Sequence, residues 1–433
     1  MRESSPDYVF MKQRSDDEVE QLETNVYTFE NPDAEEGAKR VLVTSNDPGS
    51  FNAVKHVVRN LIANPRCRGV TALISGNAAE NFTKEFPRFE RVREQEVDEH
   101  GNERVKSVFE DVGDLAEKRP VDVALLSLST RDGPEVPMLF AGKDVFGARK
   151  TFVLVDGWGK LEGPFTRTNT DNMEHIDGIF CNDEFEKTLI ESALPAYPPD
   201  YIHPYGTPVF EHLELDKAAE YRSETRKKLG IGADAFVVLY VGDVSLDYEG
   251  WKGVDSTNIN IQTFEKTREA LERWAIAHPD REVVLLVRPH GRAKKKPETI
   301  HDWDYLIRAA DEPHSFGNFS LRNASGPSMN EVAYTADAVA SICSTENQVA
   351  PLRGLPAIYL GYGEEGLGKE VLGRLYGSEN LPRLDGIPGI SIVSSENDLQ
   401  RALDQVATEH APETQKPRKV EDSTARIVDA ILA

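Results

Sequence analysis

Cysteine is scarce in this chain. Its 433 residues include only Cys67, Cys181 and Cys343. An odd, widely spaced set excludes a disulfide framework and any CxxC metal or redox pair. Long apolar runs are also missing, and none approaches the ~20 residues that a membrane helix needs. The opening MRESSPDYVFMKQRSDDEVE has no apolar h-region of the signal-peptide kind. These absences predict a chain without a transmembrane segment, working in a reducing cytoplasm. Positive charge is in deficit: 50 Lys+Arg stand against 74 Asp+Glu, a formal net charge of −24. Such a field repels phosphate backbones and anionic lipid, so nucleic acid is not an expected partner. The ten histidines include no HExxH or HxxxH pair. No GxSxG elbow is present, and the turn after the first strand, SNDPGSFNAV, is neither a Walker loop nor GxGxxG. Metal hydrolase and serine hydrolase chemistries therefore lack support.

What the chain does have is alternation. Hydrophobic residues make up 39% of it, enough for a core in each of two domains at about 100–200 residues per domain. Residues 1–38 read as a polar N-terminal extension. Strands are then expected at RVLVTS (Arg40 to Ser45), GVTALISG (Gly69 to Gly76), VDVALLSLS (Val121 to Ser129), KTFVLVDGWG (Lys150 to Gly159) and GIFCND (Gly178 to Asp183). Helical patterns fall between them, the first from Phe51 to Ala63. The charged stretch 90–118, with DEHGNERV, reads as a hairpin or surface loop. Residues 211–230 read as a linker helix. A second series follows, with strands at AFVVLYVGD, EVVLLVRPHG, NFSLRNASG, DAVASICS and PAIYLG, and a final amphipathic helix ends the chain. Continuous apolar strands alternating with helices predict parallel sheets covered on both faces. The expected fold class is α/β, with two Rossmann-like doubly wound parallel-sheet domains facing a cleft. The boundaries follow as 39–210 for the first domain, 211–230 for the linker, 231–415 for the second, and 416–433 for a helix able to cross back.

In open parallel sheets, ligands sit outside the carboxyl ends of the strands. Four segments place polar residues there. In SNDPGSFNAV, Gly49 and Ser50 lie where backbone N–H groups and a helix start can face an anion; Ser50 or Asn52 can equally be a plain cap. In VRPHGR, Arg288 offers a fork of donors for phosphate oxygens and His290 adds another. The lysines that follow, Lys294 to Lys296, read as solvated. In CSTENQVAPLRGLP, Ser344, Thr345 and Glu346 mark a strand end and a helix start, either an anion cradle or a cap. In VDGWG, Asp156 is placed to act as a general base toward a hydroxyl or to cap a turn. Trp158 can stack on a sugar or simply pack. Asp47 is the rival base, and Asp183 and Glu184 are weaker ones. Gly242 closes the first strand of the second series. His203, in HPYGTP, reads as structural before catalytic.

With these segments in place, the chain resembles the GT-B glycosyltransferases over about residues 39–433. The likeness is clearest in the second half. RSETRKKLGIGADAFVVLYVGD is similar to the entry of their second domain, and VRPHG to the strand end of the capsule and teichoic-acid type. CSTENQVAPLRGLPAIYLG is similar to their S-T turn, short helix and G-x-P segment. HPYGTPVF is similar to the strand before the domain crossover. One departure stands out. The family usually has a glutamate five residues before the glycine of G-x-P, and here that place is Val349.

The resemblance implies a nucleoside diphosphate sugar as co-substrate, with no tightly bound cofactor and no resident metal. Its diphosphate would meet Arg288, His290 and the Ser344–Thr345 helix start, and Gly242, Glu346, Gly49 and Ser50 complete the candidate binding set. Asp156 or Asp47 would deprotonate a hydroxyl acceptor. Two alternatives stay open: a sugar-nucleotide epimerase on the same fold, and a non-catalytic nucleotide-binding protein. Homo-oligomerisation is compatible with each of them.

Overall fold

The computed structural model describes residues 24–45, 48–75, 78–92, 95–97, 103–105, 120–128, 147–155, 176–242, 259–289, 305–306, 308–309, 311, 314–342, 344–361, 389–409 and 422–433. The chain forms two compact units. The first takes Met1–Asp156, Gly163–Val209 and Asp422–Ala433; the second takes Gly157–Glu162 and Phe210–Glu421.

The first unit holds an eight-stranded sheet. Its strands are β1 (Thr24–Glu30), β2 (Lys39–Ser45), β3 (Cys67–Ser75), β4 (Glu90–Val92), β7 (Val123–Leu128), β8 (Lys150–Val155), β9 (Gly178–Phe180) and β10 (Ile202–His203). Two further strands, β5 (Gln95–Val97) and β6 (Glu103–Val105), pair as an antiparallel hairpin within the charged stretch. The sheet order is β10-β9-β8-β7-β2-β3-β1-β4. From β10 to β3 every pairing is parallel, and β1 runs antiparallel to β3. Helix α1 (Pro48–Ala63) follows β2 because Ala53, Val54, Val57, Val58 and Leu61 recur at helical spacing, and all are fully buried. Helix α2 (Ala78–Glu85) follows β3 and buries Phe82. Helix α3 (Glu184–Ala193) follows β9, capped by the Asp183 carboxylate, which accepts from the Glu186 amide at 2.8 Å. A short turn, α4 (Pro208–Glu211), spans the point where the chain enters the second unit.

The amino-terminal stretch differs from its reading as a polar extension. Thr24–Glu30 is a strand of the sheet, and Val26, Tyr27 and Phe29 are buried. A short aromatic and β-branched run, VYTF, outweighed the surrounding polarity because it pairs with β3 along seven positions.

The second unit holds a seven-stranded sheet of β11 (Phe236–Val241), β12 (Val283–Arg288), β13 (His314–Phe316), β14 (Phe319–Asn323), β15 (Ala338–Ser341), β16 (Ala357–Leu360) and β17 (Ile390–Val393). Its order is β13-β14-β12-β11-β15-β16-β17, parallel throughout except at β13. Helices α5 (Ala218–Lys228), α6 (Ile259–Ala277), α7 (Met329–Thr335), α8 (Thr345–Val349) and α9 (Glu396–Glu409) flank it. Alternate residues of β11 enter opposite cores. Phe236, Val238 and Tyr240 pack with Trp274 of α6 and Leu403 of α9, whereas Val237, Leu239 and Val241 pack with Val332 of α7. Burial on both faces explains the continuous apolar strands.

Helix α5, which reads as a linker, is fastened to the second sheet. Asp337, just before β15, accepts from Arg222 at 2.6 Å, from Arg226 at 3.2 Å and from the Val237 amide at 2.8 Å. The last helix, α10 (Ser423–Leu432), belongs to the first unit. Its Ile427, Val428, Ile431 and Leu432 share a core with Val54, Val57 and Leu61 of α1. Among the described residues no helix is long and apolar enough to cross a membrane.

Candidate functional site

Each sheet has one point where the chain reverses its direction of strand addition. In the second unit the chain moves from β11 to β12 and β14 on one side, then returns to β15 on the other. A crevice outside the carboxyl ends of β11 and β15 is the place where such sheets take ligands. Gly242, the residue after β11, is buried, and its N–H donates to the Arg288 carbonyl at 3.0 Å. Gly242 and Arg288 are therefore neighbours. Ser344 and Thr345 follow β15 on the opposite side of β11.

Arg288 ends β12 with its side chain engaged. Nη1 donates to the carbonyls of Ala324 at 2.8 Å and Pro327 at 2.6 Å, in the turn after β14. Nε and Nη2 have no hydrogen-bond partner among the described residues. Burial pushes this guanidinium below its ordinary pKa, with Glu331 opposing. Two strand spacings of about 4.8 Å separate the β12 and β15 backbones, and Nη1 reaches toward the β14 side. The structure thus joins Arg288 to Gly242 and to the 324–327 turn, and places Ser344 and Thr345 across β11 from it.

Ser344 is the cap of α8. Its hydroxyl accepts from the Glu346 amide at 3.3 Å, and its own amide donates to Ser341 Oγ at 3.0 Å. Asn347 locks this turn from below. Its Nδ2 donates to the carbonyls of Ser341 at 3.2 Å, at the end of β15, and Ile358 at 3.1 Å, within β16. Glu346 is buried, and its carboxylate pairs with the guanidinium of Arg353. Val349 is also buried. No carboxylate from Glu346 is therefore free to take the place that Val349 leaves apolar. Burial lowers the Arg353 pKa to about 10.

In the first unit the reversal falls between β2 and β7. The Ser127 amide donates to Thr44 Oγ1 at 3.3 Å across that junction. Ser127 Oγ is buried with no hydrogen-bond partner among the described residues. Gly49 and Ser50 lie in the first turn of α1, directly after β2. His203, on β10, has a ring stacked on Tyr205 at 5.1 Å. Burial lowers its pKa, so it is held neutral as part of an aromatic cluster. Asp47, Asp156 and His290 lie outside the described residues, as do Trp158, Cys343 and the lysines at 294–296.

Two concavities open elsewhere on the second unit. One of 480 Å³ lies between α6 and α9, lined by Trp274, His278, Gln400 and Asp404; the other, of 810 Å³, is lined by Arg222, Arg281 and Asp337 at the amino-terminal edge of the sheet. Both are away from the strand ends where the reversal occurs. Among the described residues no cluster of His, Cys, Asp or Glu could hold a metal.

Solved structures with the same architecture include UDP-GlcNAc 2-epimerases. UDP-GlcNAc 2-epimerase from Neisseria meningitidis, bound to UDP-GlcNAc, aligns with a TM-score of 0.58 at 12% identity, covering 91% of this chain and 99% of that one. The 2-epimerases of Rickettsia bellii (0.55, 14%, 91% and 96%) and Methanocaldococcus jannaschii (0.54, 13%, 90% and 99%) align similarly. This is the GT-B fold. At these identities the likeness extends to the fold and no further. No protein-family model matches the chain, and no curated protein matches its sequence.

Three residues of this GT-B chain were missed by sequence reading: Asn330, Asn347 and Arg353. Arg353 left a trace, since it lies seven residues after Glu346 and two helical turns bring such a pair to one face. Asn347 and Asn330 left none, because an asparagine within a short helical pattern carries no sign of a distant partner.

Proposed function

We propose that this protein is a nucleotide-sugar enzyme, and specifically a glycosyltransferase. The observation that carries the reading is the convergence of Gly242, Arg288 and the Ser344-capped turn on the carboxyl ends of three laterally adjacent strands, β12, β11 and β15. Gly242 lets a ligand approach the backbone. Arg288, anchored through Nη1, keeps Nη2 and Nε for diphosphate oxygens. The Ser344 hydroxyl, which accepts from the Glu346 amide, keeps its proton to donate to an anion. Together they stabilise the charge that develops on the diphosphate as the anomeric C–O bond breaks. Asp156 or Asp47 takes the proton of the acceptor hydroxyl, whose oxygen forms the new glycosidic bond. His290, Gly49 and Ser50 are further candidates for the donor or acceptor contact.

The second reading is epimerisation. It is supported by the structural neighbours, UDP-GlcNAc 2-epimerases that align over nearly their whole length. The two readings part on one experiment. The protein is incubated with UDP-GlcNAc, GDP-mannose or CDP-glycerol, with and without a hydroxyl acceptor, and products are resolved by chromatography. Transfer that requires acceptor supports the first reading. An epimer formed from the donor alone supports the second. Nucleotide binding without turnover assigns a binding protein, in line with Val349 and the paired Glu346. No nucleotide binding at all refutes both enzymatic readings.

A further inference from the structure

A polar chain, buried at one end and half-exposed at the other, starts from α8 and plays no part in the contacts proposed above. It starts at Glu346, whose carboxylate pairs with Arg353; their side chains are 8% and 3% exposed. Arg353 Nη2 donates to Asn330 Oδ1 at 2.6 Å. The Asn330 Nδ2 in turn donates to Glu214 Oε2 at 2.9 Å. Glu214 also accepts from Tyr221 at 3.0 Å and pairs with Lys217 at 2.6 Å. A second route runs alongside. Arg353 lies over the Tyr334 ring, 5.6 Å from its centroid, and the Tyr334 hydroxyl donates to the Leu213 carbonyl at 2.8 Å. Both routes end on residues 213 and 214, just past Phe210, where the chain enters the second unit.

Three features mark this chain as a coupling device. First, the amide of Asn330 has a forced orientation. Guanidinium can only donate and carboxylate can only accept, so turning the amide would break both bonds at once. The two ends of the relay are therefore not independent. Second, Glu214 has φ +52, in the left-handed region that a side-chain-bearing residue holds only when its surroundings fix it. Third, a buried ion pair is a weak source of stability compared with apolar packing, whereas it does specify one geometry.

We propose that Arg353 and Asn330 are positioning residues that couple the start of α8 to the entry segment at 213–214. An anion settling on the Ser344–Thr345 turn fixes Glu346, and through the relay it fixes Glu214. Reciprocally, a change at Glu214 alters affinity at the turn by the same factor. The ligand arm of this statement rests on the nucleotide reading given above; the relay itself does not.

The test is amide hydrogen exchange on the full chain, without and with saturating UDP, GDP or CDP. Wild type is compared with Asn330→Ala and Glu214→Ala. Without ligand, exchange at 345–350 should speed up by about tenfold in both variants, while β11 and β12 keep their protection. With a bound nucleotide, wild type should gain protection at both 345–350 and 213–217, and Asn330→Ala only at the former. If Asn330→Ala loses protection throughout β11, Glu214→Ala carries the test, because Glu214 is 36% exposed. Unchanged exchange at 345–350 in the variants overturns the relay. So does a nucleotide that protects 345–350 in wild type and leaves 213–217 as it was. If no nucleotide protects the turn, the nucleotide reading fails, and the ligand-free comparison still decides the relay.

Discussion

Replacing Arg288 by Met separates the two tasks assigned to one guanidinium. The thioether keeps most of the buried stem and removes all donors. Nη1 holds two carbonyls, Ala324 and Pro327. A hydrogen bond from a charged donor is worth ~1.5–3 kcal/mol, so losing both costs about 3–4 kcal/mol once the loop relaxes. For a unit of this size each kcal/mol moves the melting temperature by about 2–4 °C, which gives a fall of about 6–16 °C in the second unit. Nε and Nη2, without a hydrogen-bond partner among the described residues, make the second task visible. If they take phosphate oxygens, nucleotide binding weakens by ~1–3 kcal/mol, or about 5- to 150-fold in Kd. Melting curves and calorimetric titration with UDP, both at a temperature below the variant's transition, read the two effects apart. Arg288→Lys should recover part of the stability and little of the affinity, because one ammonium cannot reach the loop and a ligand in the same geometry. A Met variant that melts early yet binds UDP as wild type does would confine Arg288 to the clamp. Affinity lost with the melting temperature unchanged would refute the clamp.

Asp337→Ala should cost about 3–5 kcal/mol, since it leaves Arg222 and Arg226 without their shared carboxylate; a urea midpoint shift equivalent to less than 1 kcal/mol would contradict this. Glu214 is held down at about pKa 2, chiefly by the hydrogen bond from Lys217 and then by Asn330. That is below its unfolded value near ~4.3, so its contribution is complete above that pH and fades as pH falls toward 2. Denaturation of wild type and Glu214→Gln should accordingly converge between about pH 4.5 and 2, and a constant gap across that window would be incompatible. Burial pushes the Cys67 thiol up to about 12 and raises Cys181 as well. Both should resist a thiol reagent at pH 8 until urea unfolds the first unit; rapid labelling of either in the native state would show the packing to be wrong. Removing residues 423–433 strips Ile427, Val428, Ile431 and Leu432 from the first core. At ~1.5–3 kcal/mol each as an upper range, that should unfold the first unit, and an unchanged hydrogen-exchange pattern in α1 would refute it.

The strands were legible because burial on both faces forces unbroken apolar runs. RVLVTS, GVTALISG and FVVLYV became β2, β3 and β11 within a residue or two. The reversal points were not legible, since nothing local tells β15 to add beside β11 rather than beyond β14. The first strand was hidden by its neighbours: VYTF sits in a polar stretch, and only pairing with β3 makes it a strand. The strand-end positions expected of Arg288, Gly242 and Ser344 are the ones they hold, after or at the ends of β12, β11 and β15. What local sequence could not carry was how far each side chain is already committed. Glu346 stands in a turn that reads as an anion cradle, but its carboxylate faces inward because Arg353 arrives from two turns away. Arg288 reads as a free fork, and half of that fork holds the 324–327 turn. Such commitments depend on partners 36 or more positions distant in the case of Arg288, beyond the reach of any periodicity.

The course of the backbone through α10 has a consequence for biogenesis. The ribosome makes β2, α1 and β3 before the whole second sheet, yet Ile427, Val428, Ile431 and Leu432 emerge only after it. The second sheet can therefore mature while the earlier-made lobe still shows an open apolar seam beside Val54 and Leu61. Chaperone dependence and sensitivity to premature termination should both concentrate on that late-sealing seam.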